Sequence, residues 1–161
     1  LCLSYLFAAE NLTSLIGELV DHPAVASVHL RRHPRCKADL SQLMRHDKVS
    51  EPAWGNLSGF AETCDIMLVP NSGVAIELLH LGKPVFYTPD MDYIGSDYYG
   101  FVGAGVIPLF DPEWLDSPDR IDAFFGPEWR GRYAVFDETI VTPLPVSQAL
   151  AGDAFRSLVE A

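Results

Sequence analysis

"CDIMLVPNSGVAIELLHLGKPVFYTPD" (64–90) decides the fold. "IMLV" (66–69) is apolar at every position, the pattern of a strand covered on both faces. Pro70 and Asn71 turn the chain. Ser72 and Gly73 then open a helix over 72–82, with Gly82 just past its end. Pro84 leads into a second apolar strand, "VFYT" (85–88). Strand, helix and strand in such quick succession predict a βαβ unit with parallel strands.

The same alternation extends upstream. "LCLSYLF" (1–7) predicts a buried strand, and 11–22 a helix with Leu12, Leu15, Ile16, Leu19 and Val20 at helical spacing and Asn11 as its N-cap. A strand follows at 26–31, then a short helix around 38–45 and a small strand at 48–51. The next helix, near 56–64, is capped by Asn56. The expected fold is α/β: a Rossmann-like parallel sheet with helices on both faces. Downstream of 89 the pattern loosens. "PDMDYIGSDYYGFVGAG" reads as a long functional loop, "GVIPLF" (105–110) as one more strand, and 119–125 and 147–159 as helices. Residues 1–161 thus predict a single nucleotide-binding domain, with a core over 1–110 and an irregular, helical part over 111–161. The chain opens on Leu1, without a methionine and inside a predicted strand, so it is expected to be a piece of a longer polypeptide.

Composition narrows the partners. Twenty-two acids against eleven Lys and Arg give a net charge of −11, which disfavours nucleic acid or an anionic membrane across a broad surface. No apolar run approaches the roughly 18 to 20 residues that cross a bilayer. Cys2, Cys36 and Cys64 form no CxxC pair, which points to a reducing compartment and away from zinc; no metal is expected. Any bound anion needs a local basic patch. The one dense patch is Arg31, Arg32, Arg35 and Lys37 in "LRRHPRCK" (30–37).

In an open α/β sheet, ligands sit outside the carboxyl ends of the strands. "RRHPR", "EPAW", "PNSG" and "TPDMDY" each follow a predicted strand, so all four polar clusters fall on one edge. The Ser72–Gly73 turn offers backbone N–H groups, the helix dipole and a hydroxyl to a phosphate. The competing reading is a plain N-cap with glycine for close packing. Glu77, one turn on, is placed to accept from ribose hydroxyls; the alternative is a solvated helix-face carboxylate. His33, fixed by Pro34 and flanked by Arg31, Arg32 and Arg35, could give a hydrogen bond or a proton to a departing phosphate. Surface arginines are the bland alternative for at least two of those three. A hydrolase nucleophile elbow is disfavoured, because "PNSGV" lacks the small residue two before the serine.

With "RRHPR" and "CDIMLVPNSGVAIELLHLGKPVFYTPD" in order, the chain resembles the C-terminal, donor-binding half of GT-B glycosyltransferases. It is similar to bacterial surface-carbohydrate transferases carrying an "HP" motif and a later serine motif: capsular Kdo-transferase-like, sialyl- and polysialyltransferase-like and CDP-glycerol glycerophosphotransferase-like proteins. The resemblance covers about residues 1–110. It implies His33 and Ser72 on the donor phosphates, with Gly73 backing the contact and Glu77 a candidate for the ribose; the basic patch itself adds Arg31 and Arg35 as expected phosphate contacts and His33 as the expected catalytic group. It further implies a CMP-, CDP- or UDP-linked donor as substrate, no other cofactor, and a glycan or lipid-linked acceptor. A missing N-terminal half would hold the catalytic base. The site of action would be cytoplasmic, peripheral at the inner face of the membrane. Asn71-Ser72-Gly73 stands where several such families carry a double serine or serine-threonine. The alternatives are a sugar-nucleotide epimerase of the same architecture, a CDP-glycerol-type transferase, or a non-catalytic nucleotide-binding domain.

Overall fold

The computed structural model describes residues 1–4, 7–53 and 55–140. It is a mixed α/β structure built from small parallel sheets and, among the described residues, five α-helices. β1 (Val28–His29) pairs in parallel with β2 (Val49–Ser50), and β3 (Met67–Val69) with β4 (Val85–Tyr87). The extended residues 1–3 lie between the two pairs. Leu3 N donates to Arg31 O at 2.9 Å and Arg31 N to Leu1 O at 2.8 Å, while Cys2 N reaches Leu68 O at 3.0 Å. On the far side, Leu109 bridges Tyr87 in parallel through Tyr87 N to Pro108 O and Phe110 N to Tyr87 O.

Side chains along these segments alternate between two apolar clusters, as the period of two in extended chain requires. Leu1, Leu3, Leu68 and Phe86 join the cluster of α1 (Ala9–Asp21), which buries Leu12, Ile16 and Leu19. Cys2, Met67, Val69, Val85 and Tyr87 join the other, with Phe60 and Ala61 of α2 (Leu57–Glu62) and Ala75, Leu78 and Leu79 of α3 (Val74–His80). Leu30 and Arg31 continue the alternation beyond β1: Leu30 is fully buried in the first cluster, and Arg31 follows on the other side.

Several helix ends differ from the sequence expectation. α1 begins at Ala9 with Ala8 at its N-cap, and Asn11 lies in its first turn. The bridge Phe7 to Asp92 and the bond from Ala8 N to Met91 O deliver the chain into helix earlier. Asn11 instead donates to Asp90 O. Around 38–45 there is only a 3-10 turn, Leu43–Arg45, because Asp39 Oδ1 accepts from Ser41 N and offers the backbone another path. Asn56 does cap α2, accepting from Gly59 N at 2.8 Å. α3 ends as expected. Gly82 adopts φ +73, and Gly82 N and Lys83 N return to Leu79 O and Leu78 O in a Schellman closure. The expected strand at 105–110 reduces to the single bridge at Leu109.

The downstream part holds α4 (Pro118–Phe124) and α5 (Pro127–Ile140). α5 is tied to the loop before it by Trp129 Nε1 on Val106 O and Arg132 Nε on Gly105 O. The helix expected at 147–159 lies outside the described residues. Among the described residues no helix is long and apolar enough to cross a membrane.

Phe86 joins the two parts. It is fully buried and meets Phe110, Trp114 and Phe125 edge to face at 6.0, 5.2 and 5.9 Å. Phe86→Ala should therefore cost about 3–5 kcal/mol, read as a lower denaturation midpoint in urea.

Candidate functional site

At Arg31 the chain leaves the ladder with one arginine on each side. Arg32 is committed: it grips the Glu51 carboxylate with two nitrogens, NH2 to Oε2 at 2.6 Å, and donates NH1 to Ala38 O. That fork raises its already high pKa further, through the hydrogen bond to Glu51. Arg31 is half-buried, and among the described residues its guanidinium has no hydrogen-bond or ion-pair partner.

"HPRC" (33–36) closes as a β-turn, with Cys36 N donating to His33 O at 2.8 Å and Pro34 at the position its fixed φ favours. His33 is held at both ends. Its N–H bonds Leu3 O, and its ring Nδ1 accepts from Arg35 N at 3.1 Å. A ring nitrogen that accepts an amide N–H carries no proton of its own, so the neutral imidazole is protonated at Nε2 and is a donor there.

Arg31, His33 and Pro34 wall a pocket of about 260 Å³, together with Cys2 and Leu3, Leu57 of α2, and Ser72, Val74 and Glu77. Four of the residues singled out in the sequence thus share one cavity: Arg31, His33, Ser72 and Glu77. Arg35 and Gly73 are exposed and do not line it. Cys2 forms part of its wall. Burial pushes the Cys2 thiol up, against the opposing pull of Arg31, so the sulfur is a neutral surface rather than a nucleophile.

The Ser72 turn differs from a side-chain-capped helix start. Gly73 occupies the N-cap position with φ −59, and Ser72 Oγ accepts from Val74 N at a long 3.4 Å. Ala75 N and Ile76 N already bond Ser72 O and Gly73 O. Gly73 has no positive φ, and a Cβ there would meet nothing within 4 Å. Neither conformation nor protein packing calls for glycine at this point.

Asn71, expected only to turn the chain, builds the neighbouring loop together with Asp92 and Asp97. Asn71 N donates to Asp92 Oδ2 at 3.0 Å, and its Nδ2 donates to Tyr87 OH and Ser96 O, both at 2.7 Å; its Oδ1 accepts from Tyr98 N at 3.0 Å. The Asp97 carboxylate gathers the N–H groups of Phe101, Val102 and Gly103. Their visible signal was the Asn and Asp content of a glycine-bearing turn region. Among the described residues no group of His, Cys, Asp or Glu could hold a metal ion. Compared with protein-family models, curated proteins and solved structures, the chain matches none of them.

Two measurements check this geometry. Long-range ¹H–¹⁵N spectra should find neutral His33 as the Nε2–H tautomer. Burial also pushes the Tyr87 phenol up, partly countered by its hydrogen bond from Asn71. Below pH of about 10 both folded and unfolded chains keep that proton. Above it the unfolded chain releases the proton first, so the native state loses stability as pH rises. Tyr87→Phe should be less stable at neutral pH, and its deficit should shrink along the alkaline limb of the denaturation curve.

Proposed function

We propose that this chain is the donor-binding half of a GT-B-type transferase, and that the pocket takes the phosphate of a nucleotide-activated donor. One observation carries the reading: a half-buried arginine without an acid partner among the described residues, sharing a small cavity with His33, Ser72 and Glu77 in a chain of net charge −11. Elsewhere in the same motif Arg32 is neutralised by Glu51. A guanidinium that makes no ion pair among the described residues, although Glu77 lines the same cavity, fits an anionic ligand.

The order of the extended segments supports the architecture. Read across their hydrogen bonds it runs β2, β1, residues 1–3, β3, β4 and Leu109. In chain order that is 3-2-1-4-5-6, the order of the doubly wound dinucleotide-binding fold. The pocket opens where the order reverses, between residues 1–3 and β3, and is walled by residues that follow β1 and β3. Such a crevice is where ligands of this fold bind.

On this reading Arg31 and the Nε2–H of His33 face the donor phosphate, Ser72 Oγ donates to it, and Glu77 accepts from the ribose. A glycan or lipid-linked hydroxyl attacks the anomeric carbon, and the bond from that carbon to the phosphate oxygen breaks. The electron pair leaves with the nucleotide phosphate, and the hydroxyl proton goes to a base outside this chain. Arg31 and His33 bind the phosphate more tightly as charge grows on it, which lowers the barrier. The protein would work in the cytoplasm, at the inner face of the membrane.

Calorimetry with CMP, CDP and UDP tests the reading. At least one should bind at high-micromolar to millimolar strength, roughly −4 to −6 kcal/mol. Arg31→Ala should weaken that binding by about 1.5–3 kcal/mol, whereas the exposed Arg35 should contribute less than about 1 kcal/mol. Absence of binding by all three, with the far-ultraviolet circular dichroism intact, overturns it.

A further inference from the structure

Single exposed apolar side chains need no explanation, but Tyr93, Ile94, Tyr98 and Tyr99 fall within seven residues of one loop, at 75, 53, 73 and 40% exposure. The loop is not slack. Asp92 Oδ1 holds Ile94 N, Asn71 holds Ser96 O and Tyr98 N, and Gly95 takes the positive φ of +63 that the bend needs. The rings of Tyr98 and Tyr99 are tied down to the core, while Tyr93 stands open beside the same bend. Tyr98 meets Tyr99 edge to face at 5.2 Å, and Tyr99 stacks at 5.2 Å on Phe101, which is fully buried. At Tyr98 and Tyr99 aromatic surface is therefore presented in a fixed arrangement, and little conformational freedom is lost there when something lands on it.

The charge around the rings selects the occupant. Residues 89–103 contain Asp90, Asp92 and Asp97 and no Lys, Arg or His. An anionic lipid surface, a nucleic acid or a free phosphate finds no counter-charge there. A strongly cationic ligand gains little either, since the Asp92 and Asp97 carboxylates already hold backbone N–H groups and only the exposed Asp90 is left to meet it. A second copy of the chain is disfavoured by size. Taking about 200 Å² for a fully open ring, the four side chains expose roughly 500 Å², against about 800 Å² per partner in a stable interface. What remains is a small neutral ligand with an apolar face and hydrogen-bonding edges.

We propose that the 92–99 loop is a platform for a neutral carbohydrate, with the C–H face of a pyranose laid on Tyr98 and Tyr93 and its hydroxyls on backbone oxygens of the loop. Asn71, which holds the loop, is followed in the chain by Ser72 of the pocket, so one turn supports both the platform and the anion site. Its use as the acceptor site rests on the transferase reading; the platform itself does not.

Saturation-transfer NMR with maltohexaose, cellohexaose, chitohexaose, mannohexaose and xylohexaose tests it, each against the wild-type chain, Tyr93→Ala, Tyr98→Ala and Tyr98→Phe. At least one sugar should receive transfer. Each alanine variant should weaken its binding by about fivefold, while Tyr98→Phe stays within about twofold. Tyr93→Ala leaves the bonds of the loop untouched and guards against a folding defect in Tyr98→Ala. The proposal is overturned if no sugar receives transfer, or if both alanine variants bind as the wild type does. It is also overturned by a dimer in sedimentation that Tyr93→Ala abolishes, or by tyrosine-dependent pelleting with phosphatidylcholine–phosphatidylglycerol vesicles. Nucleotide calorimetry on the same variants reports on the anion pocket separately, so either reading can fail without the other.

Discussion

Residues 1–3 hold the molecule together. Their backbone bonds Arg31 on one side and Leu68 on the other, and without them β1–β2 and β3–β4 are two separate ribbons. Two-stranded units of two and three residues have no independent stability. The inserted segment also sorts the side chains. Leu1 and Leu3 go to the cluster of α1, and Cys2 goes to the cluster of α2 and α3. The pocket depends on the same ladder, because His33 comes from one ribbon and Ser72 from the other. His33 N is bonded to Leu3 O, so the imidazole is placed by the joining segment as well as by its own turn.

Electrostatics then separates residues that look equivalent. Arg31, Arg32 and Arg35 fall within five positions, yet one lines a cavity, one is locked in a fork with Glu51, and one is exposed. Alternation turns Arg31 and Arg32 to opposite sides, and the strand beside β1 supplies the acid on one side only. The imidazole and Arg31 are left to define the character of the pocket. Glu77 and Cys2 complete it with an acceptor and a neutral wall.

Much of this was legible in the sequence. The all-apolar runs at β3 and β4, the Asn56 cap and the Gly82 closure are local signals, settled within a turn or two of chain. That the loops after β1 and β3 meet at one edge followed from strand direction, since parallel strands send their following loops to one side; which of their residues line the cavity did not. What could not be read depends on distant partners. Asn11 looks like a cap until Asp90 O takes its amide, 79 residues away. α5 has no clear apolar stripe, and is held by Trp129 and Arg132 reaching carbonyls more than twenty residues upstream; its signal was Pro127 at the first helical position. The fate of each arginine was equally hidden, because Glu51 lies 19 residues from Arg32.

That Arg31 makes no ion pair among the described residues of a chain of charge −11 has a kinetic side. Attraction from one guanidinium is short-ranged, whereas repulsion from the many acids reaches farther when salt is scarce. At physiological ionic strength the screening length is about 8 Å, so distant carboxylates fade while contact with Arg31 survives. At low salt an approaching anion is turned back before it reaches the cavity. Added salt therefore speeds entry, up to the concentration at which it begins to weaken the contact itself. This is opposite in sign to the behaviour of a basic cleft, whose capture of anions only slows as salt rises.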